Sequence, residues 1–165
     1  MPLNVVEQHA MQAHFRLADF VRESNRIEGI LRDPTNDEIQ AHERLLLLFQ
    51  VHATTMGDFQ AVIAPGKPIR ERAGMNVSVG GYVAPEGGPK IVRLLQDICR
   101  KANSAATEIE AWQIHVAFEM LHPYIDGNGR TGRALWAWTM RGIGRNPFAL
   151  PFLHRFYYQT LSAAR

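Results

Sequence analysis

His122, Asp126, Arg130 and Arg133 are set around Gly127-Asn128-Gly129 in one run, His122-Pro123-Tyr124-Ile125-Asp126-Gly127-Asn128-Gly129-Arg130-Thr131-Gly132-Arg133. Glycines allow strained backbone angles and close approach of a ligand. A glycine-flanked turn that feeds a helix aims several N–H groups at one point, with the positive end of the helix dipole behind them. That is an anion site, and phosphate is its natural guest. Arg130 and Arg133, three residues apart, are expected to project from one face of that helix and clamp successive phosphates. Asp126, just before the nest, suits Mg²⁺, which takes few protein ligands beside phosphate oxygens. As a bland alternative, it caps the helix. His122 titrates near neutral pH and can take a proton from an incoming hydroxyl.

Other readings of the same residues fare worse. Gly127 to Gly132 also fits G-x-G-x-x-G, but no hydrophobic strand precedes it and no acidic residue follows, which removes the dinucleotide fingerprint. The chain has no Walker A sequence, His-Glu-x-x-His helix or Cys-x-x-Cys pair. His9, His14, His42, His52, His115 and His154 have no phosphate site close in sequence and read as structural. Cys99, the single cysteine, reads as a buried thiol.

The elements that must position the run are mainly helical. Residues from about Val5 to Arg22 carry apolar side chains near helical spacing and are broken at Asp33 to Asn36. Thr35 and Glu38 form a capping box for a second helix that runs into Leu45–Phe49. Gly57 to Pro68 reads as irregular. Met75 to Pro85 alternates around Gly80-Gly81, which signals a hairpin. Pro89 opens a helix with the apolar stripe Ile91, Leu94, Leu95, Ile98 and Ala102. Thr107 and Glu110 cap the next helix, which is apolar on more than one face and so is expected to be central. A last helix begins near Arg130.

The chain has 165 residues, 46% hydrophobic and 21% charged, which describes one compact domain rather than disorder. The N-terminal stretch lacks the apolar core of a secretory leader, and Leu45–Phe49 is too short to span a bilayer. With a lone cysteine, this points to the cytoplasm. The net charge is only +2, but no Asp or Glu follows Asp126, whereas Arg130, Arg133, Arg141, Arg145, Arg155 and Arg165 do. Those arginines need phosphates, carboxylates from upstream, or nucleic acid. Arg155 and Arg165 read as simply solvated.

The run resembles the signature of the Fic family, His-Pro-Phe-x-(Asp/Glu)-Gly-Asn-Gly-Arg-x-x-Arg, with Tyr124 in place of Phe. The resemblance covers roughly residues 22–146 and implies one mainly α Fic-type domain over residues 1–165. It implies transfer of AMP from ATP, with Mg²⁺, to a Ser, Thr or Tyr hydroxyl of a target protein, releasing pyrophosphate. His122 looks like the base, Asp126 the metal ligand, and Gly127, Asn128, Gly129, Arg130 and Arg133 the phosphate-binding groups. The Doc branch, which phosphorylates its target, has a lysine where this chain has Gly129, so AMP transfer is favoured. The hairpin, residues 74–85, resembles the Fic flap beside the active site, with Val77, Val79, Gly80, Gly81 and Tyr82 expected to dock a target segment. Ser24-Asn25-Arg26-Ile27-Glu28-Gly29 resembles the inhibitory motif (Ser/Thr)-x-x-x-Glu-(Gly/Asn). That similarity implies an N-terminal inhibitory helix around residues 22–30, with Ser24, Glu28 and Gly29 regulatory and Glu28 paired with Arg133. Self-modification and a homodimer are compatible with the family; membrane and nucleic-acid partners are not expected. The rival readings are removal of AMP from a modified target, transfer of another nucleotide or phosphate moiety, a nucleotide-binding partner without turnover, and a basic nucleic-acid-binding module.

Overall fold

The computed structural model describes residues 5–148, with side chains from residue 16 onward. The readings of His9, His14, His154, Arg155 and Arg165 fall on side chains outside that range.

Among the described residues the protein is mainly α. Its helices are α1 (Val5–Ile27), α2 (Asn36–Leu47), α3 (Ala53–Ile63), α4 (Pro89–Ser104), α5 (Glu108–Leu121) and α6 (Asn128–Gly142). An antiparallel hairpin, β1 (Ser78–Val79) and β2 (Tyr82–Val83), pairs Ser78 with Val83 and Val79 with Tyr82. Both expected capping boxes form: Thr35 Oγ1 accepts from Glu38 N–H and Thr107 Oγ1 from Glu110 N–H, each at 3.2 Å. Each glutamate returns the bond to its N-cap N–H.

Three expectations change. The stretch read as irregular, Gly57 to Pro68, is helical as far as Ile63: α3 buries Met56, Phe59, Gln60 and Ile63, and that burial outweighs the local cost of Gly57. Gly57 lies against Tyr124, whose hydroxyl would be 3.9 Å from a Cβ there. The first helix continues past Arg22 to Ile27. The element that packs on every other helix is α6 rather than α5, and it is buried nearly all round, including Leu135, Trp138 and Met140. Smaller differences are that α6 begins at Asn128, and that Leu94 is partly exposed although its stripe partners Ile91, Leu95, Ile98 and Ala102 are buried.

One core cluster unites α2, α3, α4, α5 and α6 around Met56, Ile91, Leu95, Phe118, Tyr124 and Leu135. A second joins α1 to α6 through Leu17, Phe20, Val21 and Ala137. Cys99 lies in the first, its thiol pushed up to about 12 by burial, so it is an inert core group.

Tyr124 is 2% exposed and its hydroxyl has no hydrogen-bond partner among the described residues. A buried hydroxyl without a partner costs about 1–3 kcal/mol. Tyr124→Phe is therefore expected to leave stability unchanged or raise it by about 1 kcal/mol, measured by urea unfolding. A loss larger than about 1 kcal/mol would show that the hydroxyl is satisfied in solution.

Candidate active site

Two helix ends meet at this site, the C-terminus of α5 and the N-terminus of α6. α5 stops at His122, which adopts left-handed angles (φ 49, ψ 61) as its C-cap. It is the one non-glycine among the described residues with positive φ. Such a conformation costs on the order of 1 kcal/mol and persists only where surroundings fix it. Pro123 follows and cannot continue the helix. His122 Nδ1 lies 3.3 Å from Glu119 O; an N–H donated there puts the imidazole lone pair on Nε2, the nitrogen suited to accept a proton.

The turn between the helices is tied down by side-chain amides. Asn128 Nδ2 donates to Tyr124 O at 2.8 Å and its Oδ1 accepts from Tyr124 N–H at 2.9 Å. Gln60 Nε2 donates to Asp126 O at 2.9 Å and to Lys67 O at 2.7 Å. Gly127, in the left-handed region at φ 79, starts α6. By helix geometry the first N–H groups of α6 lack intrahelical acceptors. Asn128 thus contributes its backbone to this N-terminal turn, while its side chain closes the loop.

Asp126 is exposed, with one carboxylate oxygen on Gly127 N–H at 2.6 Å. A single hard-oxygen ligand beside an open helix N-terminus fits Mg²⁺, which retains most of its water. No cluster of three or more His, Cys, Asp or Glu that could hold a metal occurs among the described residues.

The two arginines were expected to face phosphates together. In this structure each is buried and faces a carboxylate from the N-terminal third. Arg133 is 1% exposed; its Nη2 donates to Glu28 Oε1 at 2.6 Å and to Ser24 O at 2.9 Å, and its Nε to Ser24 Oγ at 2.8 Å. Arg130 Nη1 lies 3.9 Å from Glu38 Oε1, and burial lowers its pKa. Glu28 is the C-cap of α1. Ile30 N–H bonds to Asn25 O and Gly29 N–H to Arg26 O, the two bonds of a Schellman ending, with Gly29 at φ 77 as its left-handed residue. That turn places the Glu28 carboxylate over α6, where a Cβ added at Gly129 would overlap Glu28 Oε1.

Spacing alone gave Glu38 only a capping role. In the structure it also accepts two bonds from Arg32, both at 2.8 Å, and one from Asn25 at 3.4 Å. Those Arg32 bonds, before all else, hold its carboxyl down at about 2. The hairpin also shows a contact that its pattern does not announce. Tyr82 donates its hydroxyl to Met120 O at 2.8 Å, so this residue fastens the hairpin to α5, while Gly80 and Gly81 are exposed and Val77 and Val79 half-buried.

The Fic/DOC family pattern matches residues 43–140, and the chain belongs to that family. Members generally transfer nucleotide- or phosphate-containing groups to proteins. Solved structures with similar folds include a Fic family protein from Desulfovibrio desulfuricans G20 (19% identity, TM-score 0.69, 98% of this chain and 61% of that one). Others are a Fic domain-containing signaling protein from Bacteroides thetaiotaomicron (17%, 0.63, 98% and 76%) and Fic-1 from C. elegans (19%, 0.68, 99% and 59%). The chain therefore spans about three fifths of the length of the first and third. No curated protein matches it. Among the described residues no helix is long and apolar enough to cross a membrane.

His42 and His115, under the arginines, are neutral. Burial, the largest cause, pulls His42 from 6.5 to about 4 and His115 to about 3. A histidine whose folded value is lowered destabilises the fold once pH drops below its unfolded value, because only the unfolded chain takes the proton. Stability should therefore fall from about pH 6.5, by up to about 1.4 kcal/mol per pH unit for each ring, down to about pH 4 for His42 and about pH 3 for His115. Glu38 adds its own loss between 4.5 and about 2, so the slope above pH 4.5 belongs to the histidines. Urea unfolding across this range checks the slope, and His42→Phe should remove about half of it. A flat profile would contradict the buried neutral state.

Proposed function

We propose that this protein is an adenylyltransferase that moves AMP from ATP to a Ser, Thr or Tyr hydroxyl of a target protein and is held back by its own Glu28. The observation that carries the reading is the Glu28–Arg133 ion pair over Gly129, a carboxylate where the site's chemistry calls for a phosphate. On this reading the α- and β-phosphates lie against the backbone N–H groups of Gly127, Asn128 and Gly129, with Arg130 and Arg133 supplying charge. Asp126 would hold Mg²⁺, which offsets phosphate charge when bound.

The target hydroxyl oxygen attacks the α-phosphorus as the bond from that phosphorus to the bridging oxygen breaks. AMP is joined to the hydroxyl oxygen, pyrophosphate leaves, and the hydroxyl proton passes to His122 Nε2. Catalysis rests on positioning and charge neutralisation. Val77, Val79, Gly80, Gly81 and Tyr82 form or hold the strand edge on which the target segment docks. Resemblance favours AMP transfer over phosphate transfer, since the Doc branch carries a lysine where this chain has Gly129, and the lone buried cysteine fits a cytoplasmic setting.

Glu28→Gly is expected to raise ATP-dependent labelling at least about tenfold, since about 1.4 kcal/mol of competing interaction corresponds to that factor. Adding His122→Ala should remove transfer by a factor of about 100 or more and leave ATP binding within about twofold. Intact mass after incubation with Mg²⁺ and ATP, alone and with cell extract as target source, reads the outcome. AMP-sized increments confined to Glu28→Gly support the assignment. Phosphate-sized increments would replace it with a kinase, and equal labelling of wild type and Glu28→Gly would remove the brake.

A further inference from the structure

A helix leaves its last four carbonyls without intrahelical donors, and α5 ends inside the protein. Every one of them is met. Phe118 O accepts from His122 N–H at 2.9 Å, and Glu119 O faces His122 Nδ1 at 3.3 Å. Met120 O accepts from the Tyr82 hydroxyl and Leu121 O from Arg70 Nη2, both at 2.8 Å. Past the helix, Arg70 Nε donates to His122 O at 2.7 Å and its backbone N–H to Pro123 O at 2.9 Å. Two of these donors, Arg70 and Tyr82, come from the segment that makes the hairpin.

Arg70 is 0% exposed. Its Nη1 donates to Met75 O at 3.0 Å and Pro85 O at 2.8 Å, one on each side of the hairpin. Gly88 N–H closes the same neck on Arg70 O at 2.9 Å. The guanidinium's side-chain bonds therefore go to four carbonyls, two belonging to the hairpin's base and two to Leu121 and His122. Burying a cation is costly unless it is hydrogen-bonded; here the negative end of α5 and the four oxygens offset that cost. A planar group with donors on two edges can bridge two bodies in fixed geometry, which an ammonium on a flexible stem does not reproduce.

Resting on the reading above, in which His122 is the base and the hairpin docks the target, we propose that Arg70 is the positioning residue that registers the hairpin against His122. One group holds the left-handed turn of the histidine and the neck of the docking strand. A hydroxyl delivered along the hairpin edge therefore arrives at a distance from Nε2 that Arg70 sets.

The test uses the full chain with Glu28→Gly as parent, adding Arg70→Lys or Tyr82→Phe. Thermal unfolding, KM for ATP, kcat, imidazole NMR of His122 and amide exchange over residues 77–84 are measured on each. Arg70→Lys should keep KM for ATP within about twofold and lower kcat by roughly 10- to 100-fold in folded protein. His122 resonances should shift while hairpin amides exchange faster. Tyr82→Phe, which cuts the Met120 bond and leaves the Arg70 guanidinium in place, should move the same quantities less. The proposal is overturned if Arg70→Lys keeps full kcat, if kcat merely tracks the folded fraction, or if Tyr82→Phe matches its effect. If the parent transfers nothing, the functional reading fails on its own. The coupling is then judged by NMR and exchange alone, and faster hairpin exchange with unmoved His122 signals overturns it. If Arg70→Lys does not fold, that same comparison on Tyr82→Phe decides.

Discussion

Two buried guanidiniums in the acid-free stretch that follows Asp126 set the terms for the whole structure. Arg130 and Arg133 are 7% and 1% exposed, and no Asp or Glu follows Asp126. A buried charge without a partner costs several kcal/mol, so carboxylates have to be brought from upstream. They come from the end of α1 and the first turn of α2, which dictates how both helices lie on α6. Ser24 must face Arg133, α1 must end at Glu28, and the loop beyond must return so that Glu38 faces Arg130. Arg145 obeys the same rule with Glu108 at 2.7 Å, but that pair is exposed on both sides and contributes little.

The two carboxylates are held very differently. Glu38 is 3% exposed and tied to Arg32, Thr35 and Asn25, so its charge is permanent above about pH 2. Arg130 therefore has a fixed counter-charge in every state of the site. Glu28 is about a third exposed and meets Arg133 through one close contact. An ion pair with one solvated member is weak and screened by salt. The asymmetry gives one arginine a constant environment and the other a changeable one, as the proposed regulation of the site requires.

Much of this was legible beforehand because the relevant signals are local. Both capping boxes, the Gly80-Gly81 hairpin and the α5-to-α6 turn depend on neighbours within a few residues. What escaped was set by distant contacts. α3 carries a central glycine, so its helicity follows from burial of Met56, Phe59 and Ile63 rather than from propensity. Arg70 stands among charged and glycine residues with no local pattern to mark it; only the fold brings Leu121 and His122 to it. Asn128 was read through its glycine neighbours as part of a phosphate nest, yet its side chain is fully engaged by the Tyr124 backbone. The pairing of Glu28 with Arg133, 105 residues apart, came from the resemblance and from charge balance, since no spacing rule reaches that far.

On the proposed reading, space at the first turn of α6 lets the brake be released without rebuilding the site. With a side chain at position 129, the Glu28 carboxylate could not sit where it does. With glycine, the same volume admits either a carboxylate or a phosphate, and both would use Arg133 and the helix N-terminus. On the proposed reading the two anions compete directly. When Glu28 leaves, Arg133 still has Nε on Ser24 Oγ and Nη2 on Ser24 O. The guanidinium stays in place, with the donor formerly given to Glu28 turned toward the vacated volume. On the proposed reading, Ser24 is what keeps the arginine oriented through the exchange, and Glu28 alone has to move.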